Sequence, residues 1–137
     1  MGSKFTKYDL ENVTDYIEFE SFCHDVMSRE GYKDIEPLGG GKDKGRDALH
    51  FNKSTDETTI FAYSVREDWE KKLNEDLQKI VKHGHSCDKV VFNTSGSPTA
   101  TEKDTIKKNV KENYGWELEI FDLERISTLV DNHYQDL

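Results

Sequence analysis

The chain has 137 residues, and 28 acidic side chains against 19 basic ones give it a formal net charge of −9. This length is typical of one domain, and seven Phe, six Tyr and two Trp residues supply apolar surface for a folded core, which excludes a disordered chain. Apolar runs fall short of the ~18 residues of a transmembrane helix, two cysteines do not make a disulfide framework, and the acidic balance argues against bulk, non-specific nucleic-acid binding.

The first predicted element is a helix over residues 15–30. One apolar stripe runs along it with the i, i+3, i+4, i+7, i+8 spacing of a buried helix face, formed by Phe19, Phe22, Cys23, Val26 and Met27. Thr14 or Asp15 can cap its start, and Gly31 ends it. We therefore predict a helix with one face in the core.

The next segment changes to the period-two pattern of strands. Alternation is loose over residues 32–38, clear over 47–51, and strongest over the β-branched and aromatic residues 58–65. Three glycines at 39–41 and a polar stretch at 52–57 separate these runs. The pattern predicts three antiparallel strands in a meander.

Strands and helices alternate in the second half of the chain. We predict helices over 68–83, from the cap at Thr99 to Gly115, and after the cap at Asp122, with strands over 89–93 and 116–121. The element order is α-β-β-β-α-β-α-β-α. It predicts an α/β sandwich around a central mixed sheet whose second half is parallel.

The chemically informative segment is the glycine-rich turn that leads to Asp47 at the start of a strand. A carboxylate there, beside polar groups on the next strand, is a common framework for a Mg²⁺ site because this cation prefers oxygen ligands. Without further information, hairpin geometry explains an Asp in this turn better than a metal does.

Several segments together resemble the PD-(D/E)xK nuclease superfamily, and in particular its Mrr-like restriction-endonuclease branch. The resemblance runs from about residue 16 to the C-terminus and rests on Phe19-Glu20, Glu30-Gly31-Tyr32, Gly45-Arg46-Asp47, residues 63–73 and residues 121–126. It implies a restriction-endonuclease-like fold and hydrolysis of DNA phosphodiester bonds with Mg²⁺ or Mn²⁺.

The resemblance also implies roles for individual residues. Asp47 takes the first metal-ligand position, with Glu20 or Asp43 as a further ligand. The family's second acid and its lysine, which orients the attacking water, correspond to Ala62 and Ser64. This is a departure from the family pattern, because alanine cannot bind a metal and serine carries no positive charge.

Three explanations of this departure stay open. A nearby group substitutes, with Arg66 or Lys72 supplying the charge and Glu67 a spare carboxylate; or the domain is inactive; or Ala62 is an engineered replacement of Gln or Glu. If the domain is active, the catalytic set comprises Asp47, Glu20, Ser64, Arg66 and Lys72.

Basic residues gather in two places despite the acidic balance. Lys42, Lys44 and Arg46 lie in the turn beside Asp47, and a lysine stripe at i, i+4, i+8 spacing on the predicted third helix comprises Lys103, Lys107 and Lys111. The turn is the better candidate for phosphate contact because it adjoins the predicted metal site. Tyr63 and Trp69 are more typical of core residues than of base-stacking ones.

We expect residues 1–14 to be an expression-tag scar with a lead-in, and residues 15–137 to be one nuclease-like domain taken from a larger protein. The resemblance implies a cytoplasmic effector of a prokaryotic anti-phage defence system, acting on double-stranded DNA as a homo-oligomer and fused to an NTPase or sensor domain. The alternative is a catalytically inactive PD-(D/E)xK-like domain that serves as an interaction or assembly module.

Overall fold

The computed structural model of the protein describes residues 16–32, 36–37, 48–52, 57–82, 84 and 87–133. In chain order its elements are α1 (Tyr16–Arg29), β1 (Glu36–Pro37), β2 (Ala48–Asn52), β3 (Glu57–Ser64), α2 (Trp69–Lys82), β4 (Lys89–Thr94), α3 (Ala100–Tyr114), β5 (Glu117–Phe121) and α4 (Leu123–His133). The predicted order of helices and strands is confirmed.

The five strands form one mixed sheet in the order β1-β2-β3-β4-β5. The pairs β1–β2 and β2–β3 are antiparallel, whereas β3–β4 and β4–β5 are parallel. In the register of the parallel half, Tyr63 lies beside Asn93, which lies beside Phe121. The carboxyl ends of β3, β4 and β5 therefore meet at one end of the sheet, called here the carboxyl end.

Alternate residues of the strands enter two separate apolar cores. One face, which carries Phe61, Tyr63, Val91 and Phe121, packs against α1 and α4. The other face packs against α2 and α3 and carries Ile60, Ala62, Val90 and Phe92. The result is a helix–sheet–helix sandwich, as period-two burial on both faces requires. Within the described residues, no helix has the length and apolar character needed to cross a membrane.

Local sequence signals fix the ends of the helices. Thr99 Oγ1 accepts a hydrogen bond from the Glu102 N–H (3.1 Å), and the Glu102 side chain accepts one from the Thr99 N–H (2.8 Å), which completes a capping box. Helix α3 ends at Gly115, whose φ of 77° is left-handed. Asp122 Oδ1 accepts from the Arg125 N–H (2.9 Å) and so begins α4. These three predicted caps are confirmed.

Candidate functional site

Three segments are tied together at the carboxyl end of the sheet. The Ser95 N–H donates to the Ser64 carbonyl (3.1 Å), and the Leu123 N–H donates to the Gly96 carbonyl (3.1 Å). The end of β3, the loop after β4 and the start of α4 are therefore held in one arrangement. In open α/β sheets ligands bind beyond the carboxyl ends of parallel strands, so this is the end at which a site is expected.

Ala62 and Ser64, the β3 positions that correspond to the second acid and the lysine of the nuclease pattern, are both buried. Ala62 has no exposed surface and lies in the core beneath α2. Ser64 is 1% exposed, and its Oγ accepts a hydrogen bond from the backbone N–H of Arg66 (3.1 Å), which is a side-chain-supported turn. Strand β3 thus offers no carboxylate to a metal at position 62 and no cation at position 64, and these two positions do not fit a metal site.

Arg66 lies two residues after Ser64 and is held by two carboxylates. Its Nε and Nη2 donate to Asp68 (2.9 and 2.6 Å), and its Nη1 and Nη2 donate to Glu75 (3.2 and 3.4 Å). Hydrogen bonds to Asp68 first and Glu75 second raise the pKa of Arg66, and those bonds hold the pKa of both carboxyls below the ordinary range. Two ionised carboxylates therefore surround this one cation.

Lys72, the second candidate cation, lies one turn into α2. Its Nζ contacts Asp76 Oδ1 at 2.6 Å, and the Asp76 side chain is only 3% exposed. A lysine held on a buried carboxylate is costly to withdraw, because its departure leaves an uncompensated buried charge. Both cations proposed to replace the missing lysine are therefore already engaged within the fold.

Glu20 lies half-buried on α1. The other end of this helix is located by Tyr32, whose backbone N–H donates to Met27 O and whose hydroxyl accepts from Lys89 at the amino end of β4 (2.7 Å). Helix α1 packs on the face of the sheet that carries Phe61 and Tyr63. Glu20 therefore belongs to a helix on the face of the sheet opposite to that of Ala62.

The chain was also compared with known proteins. The family model for the Mrr catalytic domain, described as a restriction endonuclease, matches residues 12–130. The chain belongs to this restriction-endonuclease family. Neither the curated proteins nor the solved structures contain a match to it.

The glycine-rich turn of this restriction-endonuclease domain lies outside the described residues. Its members are the predicted ligands Asp43 and Asp47 and the predicted phosphate contacts Lys42, Lys44 and Arg46. The metal site therefore stays a prediction. Within the described ranges, no three His, Cys, Asp or Glu side chains are placed so that they could share one metal ion.

The lysine stripe of α3 is partly neutralised in the restriction-endonuclease fold. Lys103 Nζ lies 2.7 Å from Asp122 Oδ2, and Lys111 Nζ lies 2.8 Å from Glu117 Oε1. Lys107 lies between them and is half-buried. The stripe is thus in part a set of tertiary ion pairs rather than an open cationic face. Tyr63 and Trp69 are buried, as their sequence pattern predicted.

A buried polar residue, Asn93, lies near the carboxyl end of the sheet. Asn93 has no exposed surface, and in the described part of the chain neither atom of its amide has a hydrogen-bond partner. It lies one residue before the end of β4, on the face that carries Tyr63 and Phe121. In the sequence, Asn93 stands out as a polar residue in an otherwise apolar strand, although a polar residue next to a loop is also common at strand ends.

Proposed function

We propose that this domain is a metal-dependent endonuclease that hydrolyses phosphodiester bonds of double-stranded DNA. The single observation that carries the proposal is membership of the restriction-endonuclease family over residues 12–130, on a fold with the order of helices and strands that the resemblance implies. Family and fold alone do not assign a reaction, so the proposal depends on the residues available at the carboxyl end of the sheet.

The metal ligands in this proposal are Asp47, Glu20 and Asp43. Asp47 directly precedes Ala48, whose Cα partner across the sheet is Phe61, so the chain connects this carboxylate to the β2–β3 pair next to position 62. Glu20 is half-buried on α1, which packs on the face of the sheet opposite to that of Ala62. Bound Mg²⁺ or Mn²⁺ would activate water and neutralise phosphate charge. Since β3 supplies no ligand at position 62 or 64, the metal depends on the turn and on α1.

Positive charge for the phosphates is assigned to two groups. Lys42, Lys44 and Arg46 in the glycine-rich turn are proposed to contact the DNA backbone, with Lys107 and Lys111 of α3 farther away. Ser64 occupies the lysine position, so Arg66 or Lys72 must supply the charge there.

The acidic balance of the domain predicts weak DNA binding by one copy, and a homo-oligomer or a fused NTPase or sensor domain would strengthen this binding. In this proposal the domain is the cytoplasmic effector of an anti-phage defence protein.

A second candidate function is an interaction or assembly module that has lost catalysis. The observation that favours it is the state of β3 and α2: Ala62 is buried in the core, Ser64 supports a turn, and Lys72 is held by a buried Asp76. A domain that retained the fold without the chemistry would keep these residues for stability alone.

A plasmid-nicking assay separates the two candidates. Supercoiled DNA is incubated with the protein and Mg²⁺ or Mn²⁺, beside Asp47→Ala and, as a matched control, Asp104→Ala on the exposed face of α3. The endonuclease proposal expects nicking that Asp47→Ala abolishes and Asp104→Ala preserves. If the wild-type protein does not nick DNA with either metal, and an Ala62→Glu variant that a thermal melt shows to be folded does not nick it either, the endonuclease proposal is wrong and the module remains.

A further inference from the structure

The Arg66 guanidinium donates four hydrogen bonds, all of them to the carboxylates of Asp68 and Glu75. We propose that Asp68 and Glu75 occupy Arg66 in place of a DNA phosphate, and that they hold the DNA affinity of the domain low until a phosphate displaces them. The inference rests on the proposed function, because it takes DNA as the substrate. In this proposal, the carboxylates of Asp68 and Glu75 compete with the DNA substrate for Arg66.

The chemistry of the contact matches that of a phosphate site. A guanidinium has five N–H donors in a planar fork, which bind carboxylates and phosphates in the same two-point geometry. Arg66 directs both edges of this fork at carboxylate oxygens, one edge at Asp68 and the other at Glu75. A phosphate group that approached the carboxyl end of β3 would need the same donors.

Solvent exposure makes this arrangement exchangeable. The side chains of Arg66, Asp68 and Glu75 are 38%, 50% and 38% exposed. Exposed ion pairs are weak and are screened by salt, so a DNA phosphate can compete with them. The neighbouring pair of Lys72 with Asp76 differs, because its carboxylate is almost fully buried and the lysine cannot leave without a large penalty. Of these two cations on the described part of the chain, Arg66 is the one that can be released.

The position of Arg66 links this exchange to the candidate site. Its backbone N–H donates to Ser64 Oγ, which fixes the backbone of Arg66 beside the residue that replaces the family's lysine. A positive charge two residues after the end of β3 is therefore present but covered by two carboxylates. A purely structural role, in which the fork only fixes the turn between β3 and α2, is the competing explanation that the experiment must exclude.

The test measures DNA binding with a charge-matched control. The double variant Asp68→Asn Glu75→Gln removes both negative charges and keeps the size of both side chains. The control Glu67→Gln Glu70→Gln removes two neighbouring exposed carboxylates that, in the described structure, do not hold Arg66. Affinity for a fluorescently labelled DNA duplex is read by anisotropy, in EDTA and at low salt. We expect the first variant to bind about three- to tenfold more tightly than the control.

Arg66→Gln completes the design. Added to the double variant, it should remove the gain in affinity, whereas added to the control it should change affinity little, because Arg66 is still covered there. Equal affinities of the two double variants, or a gain that survives Arg66→Gln, would overturn the inference in favour of the structural role. Thermal melts confirm folding, and if the double variant unfolds, Glu75→Gln against Glu70→Gln decides in the same way.

Failure of this inference is distinguishable from failure of the proposed function. Binding is measured without a metal, so loss of nicking leaves the result on Arg66 unaffected. Conversely, if no variant and no wild-type protein binds the duplex at low salt, both the covered-arginine inference and the DNA substrate are wrong. Binding that follows the pattern above without any nicking would leave Arg66 as a DNA contact of an inactive domain.

Discussion

Lys103 Nζ lies 2.7 Å from Asp122 Oδ2 and joins the first turn of α3 to the start of α4. The same carboxylate uses Oδ1 to cap α4 through the Arg125 N–H, and the Asp122 side chain is 5% exposed. One buried side chain therefore positions two helices at the carboxyl end of the sheet. The contact pairs Lys103 within the fold, although its spacing with Lys107 suggested a cationic stripe.

Replacement of Asp122 should destabilise the fold. Asp122→Ala removes a helix cap and a hydrogen-bonded ion pair together, and we expect the free energy of unfolding to fall by about 2–3 kcal/mol. Asp122→Asn keeps the cap and should lose about half as much. Urea denaturation measures both values. In a cycle with Lys103→Met, strict additivity of the two single changes would show that the ion pair does not contribute.

Gly96 should not tolerate a side chain. A Cβ at this position would lie 3.2 Å from Trp69 Cδ1 and 3.2 Å from Thr94 Oγ1, which is closer than ordinary packing permits. Because Trp69 is buried, it cannot move aside freely. We expect Gly96→Ala to lower the free energy of unfolding by about 1 kcal/mol and Gly96→Val by more. Ser97→Ala, at the exposed neighbouring position, is the control, and equal melting temperatures for all three would contradict the steric argument.

The fold was predictable because its signals are local. Thr99 and Glu102 are three residues apart, and Gly115 follows directly after its helix, so capping chemistry marks both ends of α3 in the sequence itself. The change of apolar period from 3.6 to 2 separates helices from strands in the same way. These signals need no knowledge of which residues meet in space.

The arrangement at the candidate site was only partly predictable. The spacing of Arg66 and Glu75, nine residues, matches no helical repeat because Arg66 lies in the turn before α2, so their contact depends on how that turn is folded. Likewise, the sequence shows that Ser64 replaces a lysine but not that its hydroxyl supports the turn. Partners of charged side chains are set by tertiary structure, which periodicity does not report.

Acid should weaken the protein partly through Glu119. Burial raises the pKa of this carboxyl, but hydrogen bonds from Lys89 and Arg125 outweigh burial, and its pKa lies below the ordinary value. A depressed carboxyl pKa stabilises the folded state above the unfolded-state pKa, and this contribution is lost as the pH falls through the folded-state pKa. We expect Glu119→Gln to reduce stability by about 1 kcal/mol at pH 7 and by less at pH 3.

Glu117 provides the matched control for this pH dependence. It lies on the same strand and contacts Lys111, but its side chain is 68% exposed, so its ion pair is screened by solvent. Chemical denaturation of wild type, Glu119→Gln and Glu117→Gln is followed from pH 7 to pH 3. A stability difference between wild type and Glu119→Gln that is constant across this range, or a larger change in Glu117→Gln, would contradict a role of the depressed Glu119 pKa.

Asn93 should be replaceable by leucine with a gain in stability. Its amide is fully buried, and within the described residues neither its oxygen nor its nitrogen has a hydrogen-bond partner, so the folded state carries an uncompensated desolvation cost. Leucine has the same number of side-chain heavy atoms and the same branching, without the polar groups. We expect Asn93→Leu to raise the melting temperature by about 3–6 °C.

Thr94→Val is the control for this last prediction, because the neighbouring Thr94 is equally buried but its Oγ1 accepts from the Gly96 N–H at 3.0 Å. Removal of a hydroxyl that is in use should lower the melting temperature. A loss of stability in Asn93→Leu similar to that in Thr94→Val would contradict the prediction. Calorimetry on both variants, with the nicking assay run beside it, also tests whether the gain in stability is obtained at the expense of activity.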